Sequence, residues 1–238
     1  MSVRIWDPYL TQSDKDHLAR TPDKRVGFGS KPALLLVDLY RAVFGDKPEP
    51  LLEAIKTWPS SCGMAGWTAL PHIQRVLESA RKAGIPVVHI TLLSESGMLG
   101  WFDAAHRASG GRGPGPSDEA GLDRKRRSAD IIDEVRPLPG EIVLKKAAPS
   151  AFWGTPLAGH LTFHGIDTLI VCGEATSGCV RASVVDAASH RYRVQVVEEG
   201  VFDRHEATHA LNLFDLHQKY ADVIPADAAI DYLSRMAK

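Results

Sequence analysis

Three kinds of side chain able to do covalent chemistry stand at the ends of apolar runs in this sequence. Asp38 closes residues 33–38 (ALLLVD), Lys145 and Lys146 close residues 141–146 (EIVLKK), and Cys179 follows residues 167–172 (DTLIVC) behind the small residues of GEATSGCV. A carboxylate, an ammonium and a thiol make a base, a charge stabiliser and a nucleophile. A thiol at its reference pKa of about 8.5 is mostly protonated at neutral pH, and a helix N-terminus with a nearby ammonium lowers that value. The carboxylate can take the thiol proton and return it to a leaving amine. Backbone N–H groups of the tight GEATSGC turn can hold a developing oxyanion, and Gly173, Ala175 and Gly178 let the main chain approach a substrate closely. Glu174 is awkward there, because a carboxylate aimed at a thiolate opposes it. Its side chain is expected to turn away or to meet a cation.

The elements that must position these groups alternate. Apolar, β-rich runs at residues 33–38, 86–91, 141–145, 167–172, 193–198 and 222–224 are separated by helical patterns. The helical patterns lie at 71–83, 155–163, 177–190, 205–220 and 226–236. Doubly apolar strands joined by helices predict a parallel sheet covered on both faces, and right-handed crossovers make it a three-layer α/β/α domain. Ligands of such sheets bind beyond the carboxyl ends of the strands, where Asp38, the lysine pair and Cys179 all fall. Two segments break the rhythm. Residues 1–30 read as an N-terminal arm with Trp6 and Tyr9, suited to contacts with another subunit. Residues 92–127 form a long loop with the tract SGGRGPGP, and Trp101 and Phe102 would suit the lining of a lid.

Bulk properties bound the function. With 238 residues, 44% apolar, 24% charged and a net charge of −1, the chain reads as a globular protein with no electrostatic reason to bind nucleic acid. The basic cluster at residues 124–127 reads as a solvated surface turn. No run of about 18 apolar residues predicts a membrane span, and the first twenty residues lack the pattern of a secretory signal. The three cysteines are odd in number and widely spaced, which argues against a disulfide framework and makes cytoplasmic the default location. Cys172 reads as an apolar filler inside its strand and Cys62 as structural. His72 and His89 read as packing or surface residues, so neither metal nor cofactor is expected. No G-x-G-x-x-G follows the first strand, and Val185 stands where a cysteine phosphatase needs arginine. A non-catalytic ligand-binding protein on the same fold is the remaining alternative from another class.

Three stretches together carry a resemblance. ALLLVD, KAAPSAFWGT and GEATSGCVRASVVDAASHRYRVQVVEEGV resemble the isochorismatase-like cysteine hydrolases, over about residue 31 to the C-terminus. The branch they are most similar to includes N-carbamoylsarcosine amidohydrolase, maleamate amidohydrolase and the biuret and triuret hydrolases. The resemblance implies a six-stranded sheet of order 3-2-1-4-5-6 and an Asp–Lys–Cys triad. That triad lands on Asp38, Lys146 (by its spacing from the SAF serine) and Cys179. It also implies a cis peptide at Glu174–Ala175, an oxyanion hole from the Ala175 and Cys179 amides, and a homodimer or homotetramer. The implied activity is hydrolysis of a small linear amide or ureide. An N-carbamoyl acid and a ureide are weighted evenly, with maleamate behind them. A substrate carboxylate would need a cation, for which Arg204, Arg107 and Arg112 are candidates. Arg181 is expected on the outer side of its helix. An uncharged ureide would instead want amide groups, and Asn212 and Gln218 are placed too far along a helix to reach.

Overall fold

The computed structural model describes residues 3–22, 24–93 and 118–236. Six strands, β1 (Pro32–Val37), β2 (Val87–Leu92), β3 (Ile142–Lys146), β4 (Thr168–Glu174), β5 (Arg193–Phe202) and β6 (Asp222–Ile224), form one sheet in the order 3-2-1-4-5-6. Every neighbouring pair is parallel. The helices, numbered along the chain, are α1 (Gln12–Arg20), α2 (Arg41–Phe44), α3 (Leu51–Thr57), α4 (Met64–Ala83), α5 (Glu119–Arg127), α6 (Leu157–Phe163), α7 (Arg181–Ser189), α8 (Glu206–Lys219) and α9 (Ala226–Ser234).

The two faces of β1 show why both sides of the sheet are covered. Ala33, Leu35 and Val37 enter one apolar cluster with residues of α6, α7 and α8, whereas Leu34 and Leu36 enter another with α4 and α9. Side chains alternate across a strand, so a run with no polar position buries both faces. All six β1 residues are buried.

Several boundaries differ from the sequence reading. Helix α4 begins at Met64, not at Pro71, and carries the proline in its interior. Proline usually marks a helix start because it lacks the N–H, yet here the apolar face of Ala69, Leu70, Ile73, Val76 and Leu77 packs continuously past it. The loop assigned to residues 92–127 ends in a helix: Glu119–Arg127 is α5, and the basic cluster lies on it, with Arg126 and Arg127 paired to Asp123 three and four residues back. Trp101, Phe102, Arg107 and Arg112, and the lid reading with them, lie outside the described residues. Trp6 of the N-terminal arm is buried in its own chain against Phe214 and His217, under the Arg4 guanidinium, whereas Tyr9 is exposed.

Gly173 joins β4 to β1 more closely than any side chain permits. Its φ is +129°, and a Cβ there would lie 2.0 Å from the Val37 carbonyl oxygen, which is fixed main chain. Gly173→Ala is therefore expected to lower stability by about 3 kcal/mol or more, read as a shifted denaturant midpoint.

Candidate active site

The strand order dictates which ends meet. Asp38 follows β1 directly, Lys146 is the last residue of β3, and Glu174 is the last of β4. Because β2 separates β1 from β3, Lys146 must lean across a strand to reach Asp38, and it does so. Its Nζ lies 2.8 Å from Asp38 Oδ2 and donates to Cys179 Sγ at 3.1 Å. Asp38 is fully buried and Lys146 is 1% exposed, so this is an ion pair shielded from water. Its contact is close rather than ideally directed, since among the described residues neither Asp38 oxygen receives a well-aligned hydrogen bond. The bend that aims the carboxyl inward has φ = +57° at Asp38, a left-handed conformation that aspartate tolerates better than most residues.

Cys179 sits in a turn of π-helical type, Thr176–Val180, that leads into α7. The peptide Glu174–Ala175 just before it is cis. The Gly178 and Val180 amides both donate to the Ala175 carbonyl, which closes the turn. Three further contacts hold it. Asp203, beyond β5, accepts from the Ser177 amide at 2.9 Å and from its hydroxyl at 2.7 Å. Thr176 Oγ1 pairs with His209 Nδ1 at 2.8 Å. Ser183 donates to the Cys179 carbonyl at 2.7 Å and accepts from the Ala151 amide at 2.9 Å, tying the cysteine helix to the SAF segment. Local sequence reading passed over these residues. Asp203 carried the one available signal, since it directly follows β5.

Burial pushes the Asp38 carboxyl up, with Lys146 and Cys179 opposing it. Burial works to lower Lys146, but the charges of Asp38 and Cys179 outweigh it, and the ammonium is held charged. The Cys179 thiol is raised well above the ordinary thiol range by burial and then by Asp38, with Lys146 only partly offsetting them. This corrects the expectation of a lowered thiol pKa. An ionised thiol beside ionised Asp38 would leave the buried cluster one negative charge in excess, whereas passing the proton to Asp38 keeps its net charge unchanged. Burial and the Asp38 charge thus favour the neutral thiol in the resting site.

The sequence reading has Glu174 turn away from the thiol or meet a cation. Its Oε1 accepts from the Cys62 thiol at 3.5 Å, and it lies within the field of Arg204. Cys62 therefore has a contact at the site instead of being only a structural thiol. Arg204 is exposed, and its Nε and Nη2 donate to the Ser61 and Ser60 carbonyls at 3.1 and 2.6 Å. Arg204, Cys62, Asp203 and His209 line a cavity of about 560 Å³. None of Asp38, Lys146 or Cys179 lines it; it abuts the cysteine turn from the β5 side. Arg181 turns outward to Asn212 and Asp215 at 3.2 and 2.5 Å, which accounts for both Arg181 and Asn212 away from the thiol. His89 is buried, bonded to Glu141 at 2.8 Å and held neutral by burial, a packing residue as expected. Among the described residues no cluster of three or more His, Cys, Asp or Glu could hold a metal ion, and no helix is long and apolar enough to cross a membrane.

The family model for the isochorismatase domain matches residues 32–228. The chain belongs to the isochorismatase family. Among its relatives, maleamate amidohydrolase of Pseudomonas putida is 36% identical over 230 residues, covering 95% of this chain and 98% of that protein. N-carbamoylsarcosine amidase of an Arthrobacter species is 34% identical over 222 residues, covering 90% and 75%. Of the solved structures, N-carbamoylsarcosine amidase from Thermoplasma acidophilum superposes with a TM-score of 0.61 at 27% identity, covering 83% of this chain and 98% of that one. An isochorismatase-like hydrolase from Alkaliphilus metalliredigens gives 0.67 at 25% identity, covering 85% and 99%.

Proposed function

We propose that this isochorismatase-family protein is an amidohydrolase that cleaves the C–N bond of a small linear amide through a thioester on Cys179. The observation that carries the reading is the Lys146 ammonium within 2.8 Å of Asp38 and 3.1 Å of Cys179 at the carboxyl ends of adjacent parts of one sheet. The names of two relatives, maleamate amidohydrolase and N-carbamoylsarcosine amidase, support it.

In the proposed cycle Asp38 takes the Cys179 proton as the thiolate attacks the substrate carbonyl carbon. Lys146 stays charged and offsets the negative charge that moves from carboxylate to sulfur and on to oxygen. The Ala175 and Cys179 amides hold the tetrahedral oxyanion. Collapse breaks the C–N bond, Asp38 returns its proton to the nitrogen, and ammonia leaves. Water then gives a proton to Asp38 and its oxygen to the acyl carbon, and the departing sulfur recovers the proton as a thiol.

Both named relatives point to substrates that carry a carboxylate, which raises maleamate from its place behind the ureides. Arg204 is the proposed cation for that carboxylate, and biuret and triuret remain alternatives. The protein is further proposed to act as a homodimer or homotetramer in the cytoplasm, with its exposed N-terminal surface in subunit contacts. The test is ammonia release over maleamate, N-carbamoyl amino acids, biuret, triuret and nicotinamide. Turnover of one of the first four classes is expected; inertness to all of them would overturn the reading.

A further inference from the structure

Cys179 is held on its C-terminal side by Ser183, which bonds the cysteine carbonyl. On its N-terminal side the hold comes from another strand. Ser177, two positions before the thiol, gives both its main-chain N–H and its hydroxyl to one oxygen of Asp203, at 2.9 and 2.7 Å. The second Asp203 oxygen accepts from the Arg204 amide at 2.8 Å, which fixes the carboxylate plane just beyond β5. Between Ser177 and Cys179 stands Gly178, whose φ of −113° and ψ of −106° are not helical. Those angles break the regular helical path just before the thiol, so side-chain contacts carry the aim of the turn. A carboxylate accepting from a main-chain N–H is roughly twice as strong a bond as a neutral pair, and two donors on one oxygen fix direction as well as distance. The Asp203 bonds go to Ser177 and Arg204, not to the thiol.

We infer that Asp203 is a positioning residue for the nucleophile: through Ser177 it holds the cysteine turn at the angle that keeps the Cys179 sulfur against Lys146. The inference deepens the amidohydrolase reading and rests on it. The contact at stake is the 3.1 Å approach of Lys146 Nζ to Cys179 Sγ. Because the hold acts on the reacting geometry and not on substrate binding, its loss belongs in kcat. Misplacing a reacting group by about 1 Å can cost about 10²-fold. The Arg204 side chain, the proposed substrate cation, is held separately by the Ser60 and Ser61 carbonyls and should keep its place. Asparagine can put its amide oxygen where Oδ2 stands and keep both Ser177 donors, but its NH2 then faces the Arg204 amide. It is therefore the conservative, partial replacement.

The experiment measures ammonia release from maleamate, or from whichever amide of the screen is turned over, for Asp203→Ala, Asp203→Asn, Ser177→Ala and the S177A/D203A double variant. D203A is expected to lower kcat about 10²-fold with KM within about threefold of wild type, and D203N to recover about tenfold of that loss. S177A removes the hydroxyl and keeps the N–H, so it should lower kcat about three- to tenfold in the wild type. In D203A it should have no further effect, because the hydroxyl then has nothing to bond. Unchanged kcat in D203A, a loss confined to KM, or single effects that multiply in the double variant would overturn the proposal. Should D203A fail to fold, S177A decides: a kcat equal to that of the wild type would overturn it. Alkylation of Cys179 by iodoacetamide, followed at that residue by peptide mass mapping, separates the proposal from the amidohydrolase reading. It should slow about tenfold in D203A, with S177A again adding nothing in the double variant. A wild type inert to every amide that still shows this pattern would remove the activity and leave the positioning role standing. Equal alkylation rates in wild type and D203A would overturn the role.

Discussion

Alanine at Cys179 is expected to abolish ammonia release, with a fall of about 10⁴-fold or more in kcat, because no other group at the triad can form the acyl intermediate. The fold should survive the change. The Ser183 hydroxyl bonds the Cys179 main-chain carbonyl, not the thiol, so the tie between α7 and the SAF segment is kept. Cys179→Ser should be nearly as inactive: its hydroxyl can keep the Lys146 contact, but it is a far weaker acid than a thiol, and Asp38 cannot ionise it as readily. The measurement is ammonia release alongside a thermal melt. A variant that melts like the wild type and still turns over at a tenth of its rate or better would end the thioester mechanism.

Lys146 is expected to produce the largest combined effect. Lys146→Met removes the counter-charge from an aspartate that is fully buried, and an uncompensated buried charge typically costs about 3–5 kcal/mol. Activity should be lost as well, since nothing then offsets charge moving onto the sulfur. The pH dependence gives the sign of the cause. Burial already raises Asp38, and without the ammonium it rises further, so the native state holds the proton more tightly than the unfolded chain does. Stability of K146M should therefore be greatest below the unfolded aspartate pKa of about 3.9 and fall as pH rises from there toward the raised native value. Asp38→Asn/Lys146→Met should recover most of the stability and none of the turnover. A K146M protein as stable as the wild type at pH 8 would show that the pair is not charged, and that Asp38 is not the base.

These effects follow from an arrangement that only partly shows in the sequence. The central strands were legible because apolar runs with no polar alternation must bury both faces, and the strand order because the three quoted stretches resemble one family. Asp38 and Cys179 stood out by type and by place at strand ends. Lys146 did not separate from Lys145 on residue type alone; the spacing of a family motif chose it, and the geometry places Lys146, not Lys145, against Asp38 and Cys179. Helix α4 was cut short because a proline signals a helix start locally, and only the continuous packing of its apolar face shows otherwise.

What the amino-acid order determined by itself was therefore the scaffold and the reactive types: where strands end, and that a carboxylate, an ammonium and a thiol wait there. What tertiary structure alone decided was their state. A thiol expected to be acidic is held as a thiol, because burial and a neighbouring carboxylate outweigh one ammonium. Electrostatic environment depends on distance and desolvation among residues far apart in the chain, Asp38, Cys62, Glu174 and Arg204 among them, and no local pattern encodes those.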